Sequence, residues 1–410
     1  MANVLGIIAE YNPFHNGHIY HLEKSKRDTG SDYSIAVISG NFTQRGSTSL
    51  VNKWEKAQMA LANGVDLVIE LPTLYAISSA ENFADGAIKL LDSLKIVDFI
   101  SFGAETPNLD ILQHLADILY HEPKEYKALL SIELDKGLSF PKARENALMM
   151  YLNDQKNVKR ILSSPNNVLA IEYLKALKKH NSSMKSNVIG RFESDYNSTN
   201  ASGNIASSTA IRNMLKNNAY SILPRLMPPS SATILAKNIK QGHAVSDISA
   251  FEREIIYNLR KMTIAEIREL ADVNEGLEYS LKDAANSCNT IVDLLSNIKS
   301  KRYTSTRLQR IFLYALLGIT KKDMEISKKT TPYIRVLGFN ENGKYLISEI
   351  TKANPKLPII TSVKKFIDSN NKNRNLDILL SKDILATNVY TIGYDNDSCG
   401  NLDFTHKIVN

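Results

Sequence analysis

Short β-branched runs alternate with helical stretches through the first half of the chain. Val4-Leu5-Gly6-Ile7-Ile8, Ser34-Ile35-Ala36-Val37-Ile38, Asp66-Leu67-Val68-Ile69 and Val97-Asp98-Phe99-Ile100-Ser101-Phe102 are nearly continuous apolar runs, the signature of strands covered on both faces. Between them, residues 53–63, 80–94 and 109–119 place apolar side chains at helical spacing, and Gly, Pro or Asn marks each joint. This alternation predicts an α/β fold with a doubly wound parallel sheet of Rossmann-like type. Residues 122–177 read as a helical insertion, after which Ser186-Asn187-Val188-Ile189-Gly190 restores a strand. Pro224-Arg225-Leu226-Met227-Pro228-Pro229 then breaks the chain, and the remainder is mostly helical with a mixed, Lys-rich end. The expected division is a catalytic domain over 1–220 and a mostly helical C-terminal domain over 221–410.

Composition narrows the class without deciding it. With 410 residues, 43% hydrophobic and 23% charged, the chain can bury a sizeable cleft and is far from the composition of disorder. Its two cysteines, Cys288 and Cys399, have no metal-ligand spacing, so neither a disulfide framework nor a zinc site is expected, and a reducing, cytoplasmic setting fits. The opening residues lack the basic stretch of a signal peptide, and the apolar run 311–319 is far short of the roughly 20 residues that span a bilayer. No membrane partner is expected, and no protein partner can be inferred. A net charge of +7 permits a polyanionic partner.

Ile7-Ile8-Ala9-Glu10-Tyr11-Asn12-Pro13-Phe14-His15-Asn16-Gly17-His18 leaves the first strand, turns at Asn12-Pro13, and enters a helix near Gly17 that continues through Ile19 and Tyr20. Amides and the positive end of the helix dipole would face a phosphate held above the strand edge. His15 and His18, three apart, can reach one oxyanion, while Gly17 allows close approach of the ligand to the backbone. Two surface histidines or a metal pair would be the plain alternative; the strand, the turn and the intervening Gly favour phosphate, and HExxH is absent. The string resembles the HxGH motif of the nucleotidyltransferases. Asn204-Ile205-Ala206-Ser207-Ser208-Thr209-Ala210-Ile211-Arg212 resembles the SSTxIR element of the same superfamily. Ser208 or Thr209 would cap a helix, with Arg212 one turn in for the β and γ phosphates. After the second strand, Asn41, Gln44 and Arg45 either hold the acceptor or form a solvated turn. Gly103 either admits adenine or ribose against the backbone or merely ends a strand.

Together with Asp66-Leu67-Val68-Ile69-Glu70-Leu71-Pro72 and Ser164-Pro165-Asn166-Asn167, these motifs, in this order, resemble the bacterial tRNA(Met) cytidine acetate ligases. The resemblance covers the first strand through Arg212 closely and the C-terminal half more loosely. It implies that acetate attacks the α-phosphate of ATP and that the acetyl-adenylate acylates N4 of the wobble cytidine of elongator tRNA(Met). It also implies ATP contacts from Ile7 to Tyr20, at Gly103, at Asn166 ahead of Asn167, and at Arg191 of Ile189-Gly190-Arg191-Phe192-Glu193. His15, His18 and Arg212 are then the catalytic candidates, because acetate is already ionised and adenylation needs positioning and charge neutralisation rather than a base. Mg2+ is expected with ATP, and its ligands cannot be chosen from the sequence.

For the RNA, Lys299-Ser300-Lys301-Arg302-Tyr303-Thr304-Ser305-Thr306-Arg307-Leu308-Gln309-Arg310 sets basic residues around an aromatic. Lys301, Arg302 and Arg307 would meet phosphates and Tyr303 an unpaired base; the alternative is a solvated helix start with Tyr303 in the core. A small-molecule nucleotidyltransferase is the competing function, since it uses the same ATP motifs, but it leaves the C-terminal half without a purpose. A catalytically dead scaffold would predict damage to His15, His18 or Arg212, and all three are intact.

Overall fold

The computed structural model describes residues 2–191, 204–217, 219–274, 276–300, 302–369, 373–396 and 399–410. Seven strands form one sheet: β1 (Asn3–Ala9), β2 (Ser31–Ser39), β3 (Leu67–Leu71), β4 (Phe99–Ala104), β5 (Lys185–Gly190), β6 (Ile334–Phe339) and β7 (Ile359–Ile360). Their order is β5-β4-β1-β2-β3-β6-β7. The first five are parallel, as the apolar runs predict. Successive residues alternate between the faces, so Val4, Ile35, Val37 and Ile69 enter one core while Leu5, Ile7, Ala36 and Val68 enter the other. Helices α1 (Asn16–Thr29) and α2 (Lys53–Leu61) join β1 to β2 and β2 to β3. They cover the second face through Leu22, Trp54, Ala57 and Ala60.

The order reverses at β1, which has β2 on one side and β4 on the other. Chains leaving β1 and β4 therefore diverge and open a crevice at their carboxyl ends, where α/β sheets place their ligands. The insertion predicted over 122–177, between β4 and β5, is helical, as four helices from Lys124–Asp135 to Pro165–Lys179.

The C-terminal half departs from expectation. Its strand β6 runs antiparallel to β3, and β7 adds parallel to β6. The sheet is mixed at this edge, and it draws its last two strands from the stretch that reads as mostly helical with a mixed, Lys-rich end. The apolar cluster containing Ile35 and Ile69 also contains Phe312, Tyr314, Val336, Leu379 and Tyr390. A shared core thus crosses the expected boundary near 221. Across β3 and β6, Lys53 Nζ, fully buried, lies 2.8 Å from Glu70 Oε2 and 2.8 Å from Asp403 Oδ1, and Arg335 closes on Asp403 at 3.3 Å. Among the described residues, no helix is long and apolar enough to cross a membrane.

Candidate active site

The helix start after β1 is built from imidazoles. His15 is the N-cap of α1: its Nδ1 accepts the N–H of Gly17 at 3.1 Å, and His18 Nδ1 accepts the N–H of His15 at 3.2 Å. The two rings therefore satisfy free amides of the first turn reciprocally, as Ser and Glu do in a capping box. They stack with centroids 3.8 Å apart, and Tyr11 meets His18 edge-on at 4.9 Å. Since a backbone N–H can only donate, both Nδ1 atoms are unprotonated in a neutral ring, which leaves Nε2–H as the group offered to the pocket. Burial, with Arg191 and Arg212 nearby, holds the His15 pKa down to about 3. Burial and His15 hold His18 well below its ordinary value. A Cβ at Gly17 would lie 3.0 Å from the His15 ring, tighter than ordinary contact, so a side chain there would press on that ring.

The second motif closes on the first. Ser207, one residue ahead of the expected cap, accepts the N–H of Ala210 at 3.1 Å and starts the helix Ser208–Lys216. From that helix, Arg212 NH1 donates to the Asn12 carbonyl at 2.7 Å, and Asn16 Nδ2 donates to the Asn204 carbonyl at 2.7 Å. Two helix N-termini and an arginine therefore converge on one crevice.

The crevice lies at the predicted sheet edge. Ile8, Ala9, Glu10, Tyr11 and Tyr20 line it from β1 and α1, with His15, Gly17 and His18. Gly103 and Arg191 line it from the ends of β4 and β5, and Ser208, Thr209 and Arg212 from the opposite wall. A Cβ at Gly103 would sit 3.2 Å from Arg191 Cγ, so the glycine makes room for the arginine stem. Asn166 reaches the pocket and donates to Glu105 Oε1 at 2.6 Å, whereas Asn167 is buried and accepts the N–H of Thr106 at 2.9 Å. This geometry places the first asparagine of the pair at the pocket. Gln44 and Arg45 stand at the rim.

Other expected residues lie elsewhere. Ile7 and Phe14 are core, and Pro13, Asn16 and Ile19 support the turn without lining the crevice. Asn12 spends its side chain on the Thr48 carbonyl and the Leu50 N–H. Asn41 is corrected most clearly: its amide bridges Thr387 Oγ1 and the N–H of Lys53 in the interior, because a buried loop must satisfy its own backbone. In the basic tract, Arg302 is exposed, Tyr303 packs against the core, and Arg307 donates to the Asp272 carbonyl at 2.8 Å while lying over the Tyr303 ring. Tyr303 and Arg307 thus hold the helix they precede and begin. Lys301, Phe192 and Glu193 lie outside the described residues.

Four lining residues, His21, Phe83, Leu169 and Tyr173, lie outside the motifs that the sequence singles out, and Ser207 lies within one without being the cap expected there. His21 sits one further turn along α1, its Nε2 3.1 Å from Ser101 Oγ on β4, and burial lowers its pKa to about 4. Its spacing from His18 is the available signal. Tyr173 shares a helix with Asn166, and Ser207 is masked by the two hydroxyl residues after it.

Comparison with known proteins gives the same reading. The family model for HIGH nucleotidyl transferases matches residues 2–402. The tRNA(Met) cytidine acetate ligase of Thermoanaerobacter sp. strain X514 is 45% identical, with 99% of each chain covered, and that of Acetivibrio thermocellus is 43% identical over the same shares. The crystal structure of apo Thermotoga maritima TmcAL superposes with a TM-score of 0.94 at 33% identity over 99% of both chains. Its form bound with alpha-thio ATP gives 0.92. The chain therefore belongs to the HIGH nucleotidyl transferase family and, within it, to the tRNA(Met) cytidine acetate ligases.

Proposed function

We propose that this chain activates acetate with ATP and transfers the acetyl group to N4 of the wobble cytidine of elongator tRNA(Met). The observation that carries this reading is the meeting of His15 and His18, fixed as Nε2–H donors, with Arg212 in one crevice at the β1/β4 switch point. Full-length similarity to named ligases selects acetate and tRNA among the possible substrates.

In the first step an acetate oxygen bonds to the α-phosphorus and the bond to pyrophosphate breaks. Charge accumulates on phosphate oxygens, and the groups aimed at them are two imidazole N–H donors, Arg212 and the two helix N-termini, placed before the reaction begins. Neutral rings suit this task because they donate without burying charge in the free enzyme. In the second step the cytidine amine attacks the acetyl carbon and AMP leaves. Among the described residues no group of three or more His, Cys, Asp or Glu could hold a metal. A magnesium ion would then be carried mainly by the nucleotide's phosphates, supplying further charge neutralisation.

The acceptor loop brings the RNA reading into contact with the crevice. At Gly46, whose φ is 75°, an added Cβ would fall 2.5 Å from the Arg310 amide nitrogen. The loop carrying Gln44 and Arg45 thus rests on the helix Ser305–Leu317, whose first turns belong to the basic tract. Exposed Lys299 and Arg302 stand at the start of that helix, where an RNA backbone reaching the rim would meet them. The test is transfer of label from radioactive acetate to elongator tRNA(Met) with ATP present. N4-acetylcytidine at the wobble position is the expected product; label that never reaches RNA would refute the reading.

A further inference from the structure

The crevice is made for anions, yet it contains a carboxylate. Among its described lining residues Glu10 is the one acidic side chain, facing Arg45, Arg191, Arg212 and three histidines. A negative charge there repels acetate and the nucleotide phosphates, so its presence calls for a chemical task.

Glu10 is held from three directions. Lys56 Nζ, which has no solvent exposure, donates to the Glu10 carbonyl at 3.0 Å and to the Ser39 carbonyl at 2.6 Å, tying the ends of β1 and β2 together. The N–H of Gln44 donates to Glu10 Oε1 at 2.9 Å. Tyr11 comes next with φ of 46°, a left-handed conformation in a residue with a side chain, so the backbone turns away at once and leaves Glu10 at the crevice wall. Such fixation is what a group that must meet a reacting atom requires.

Among the described lining residues, the acyl transfer also has no other evident proton acceptor. His15 and His18 accept backbone N–H bonds at Nδ1 and show only Nε2–H to the pocket. His21 turns its Nε2 to Ser101. We propose that Glu10 is the general base of the acetyl-transfer step, which is an assignment resting on the ligase reading above. As N4 of cytidine bonds to the acetyl carbon, its proton passes to the Glu10 carboxylate. The bond from the acetyl carbon to the phosphate oxygen breaks, and its electron pair leaves with AMP. A positioned base of this kind contributes about 10²–10⁴-fold to a rate. Glu10 is a catalytic residue in this account, and Lys56 is the positioning residue behind it.

Two rates measured on the full chain test the assignment: acetate-dependent exchange of pyrophosphate into ATP, and single-turnover transfer from preformed acetyl-adenylate to tRNA. Glu10→Gln keeps the shape and an oxygen for the Gln44 N–H. It should slow transfer about 100-fold more than it slows exchange. Glu10→Asp should recover part of the transfer, and His21→Asn should leave the ratio of the two rates near that of the unsubstituted chain. Equal slowing of both rates in Glu10→Gln, unchanged transfer in Glu10→Gln, or a transfer-specific loss in His21→Asn would each overturn the proposal. Absence of acetate-dependent exchange in the unsubstituted chain would overturn the ligase reading, and the Glu10 assignment with it.

Discussion

Residues carry chemistry here through the direction of their hydrogen bonds. The strand, the turn and the glycine around His15 and His18 mark them in the sequence as candidate phosphate ligands, but their tautomers are not legible there, because those depend on which amides the folded turn leaves free. Asn41 and Arg307 look in the sequence like ligands for substrate, and the fold uses them to satisfy interior carbonyls and amides. A polar side chain near a motif cannot be assigned until the buried backbone around it has been paired. The histidines also predict a pH dependence. Their folded-state pKa values lie below the ordinary 6.5, at about 3 for His15 and about 4 for His21, so in that interval the unfolded chain binds more protons. Their contribution is whole above pH 6.5 and drains as pH falls toward 4, by up to about 1.4 kcal/mol per pH unit for each ring. Denaturation midpoints should therefore drop on acidification through this window, and less steeply in His21→Asn. Ring nitrogen resonances of His15 and His18 should keep the neutral Nε2–H pattern from pH 8 to 5; protonated rings at neutral pH would contradict the donor role.

At the scale of elements, four of the five parallel strands are readable in apolar runs suited to burial on both faces, whereas β5 is a polar, half-buried edge strand, and their order creates the switch point. Strand β6 is hidden because six residues between helices carry no periodicity that separates a strand from a helix segment. Its partner is chosen by tertiary contact with β3. The two helix starts at the crevice differ in how they are capped, His15 in one and Ser207 in the other. Ser207→Ala should lower stability by about 1 kcal/mol in chemical denaturation and, with ATP bound as proposed, raise the KM for ATP, since Ser207, Ser208 and Thr209 at this helix start line the crevice. An unchanged KM would detach that helix from the site. The sequence does not fix this cap to the residue, because Ser207, Ser208 and Thr209 are chemically equivalent candidates.

The whole molecule is closed by charge in its interior. Lys53 meets Glu70 and Asp403, which joins α2 and β3 to the last turn of the chain. Nothing in the sequence places Asp403 beside Lys53, since 350 residues separate them. Lys53→Met leaves Glu70 buried without its cation and Asp403 with Arg335 alone, and should cost about 3–5 kcal/mol in chemical denaturation. The loss should be larger at pH 8 than at pH 6, because burial raises the Glu70 pKa and lets it shed its charge on the acid side. The C-terminal half thus completes the sheet as well as carrying the basic tract. Replacing exposed Lys299 and Arg302 with Ala should weaken tRNA binding and reduce its salt slope by about 1–2, while ATP binding holds; unchanged affinity would move the RNA elsewhere. The central claim, that the crevice joins ATP to acetate before any RNA is involved, is tested most directly by exchange of labelled pyrophosphate into ATP without tRNA. The account predicts exchange that requires acetate and is abolished by His18→Ala, whereas exchange indifferent to acetate would contradict it.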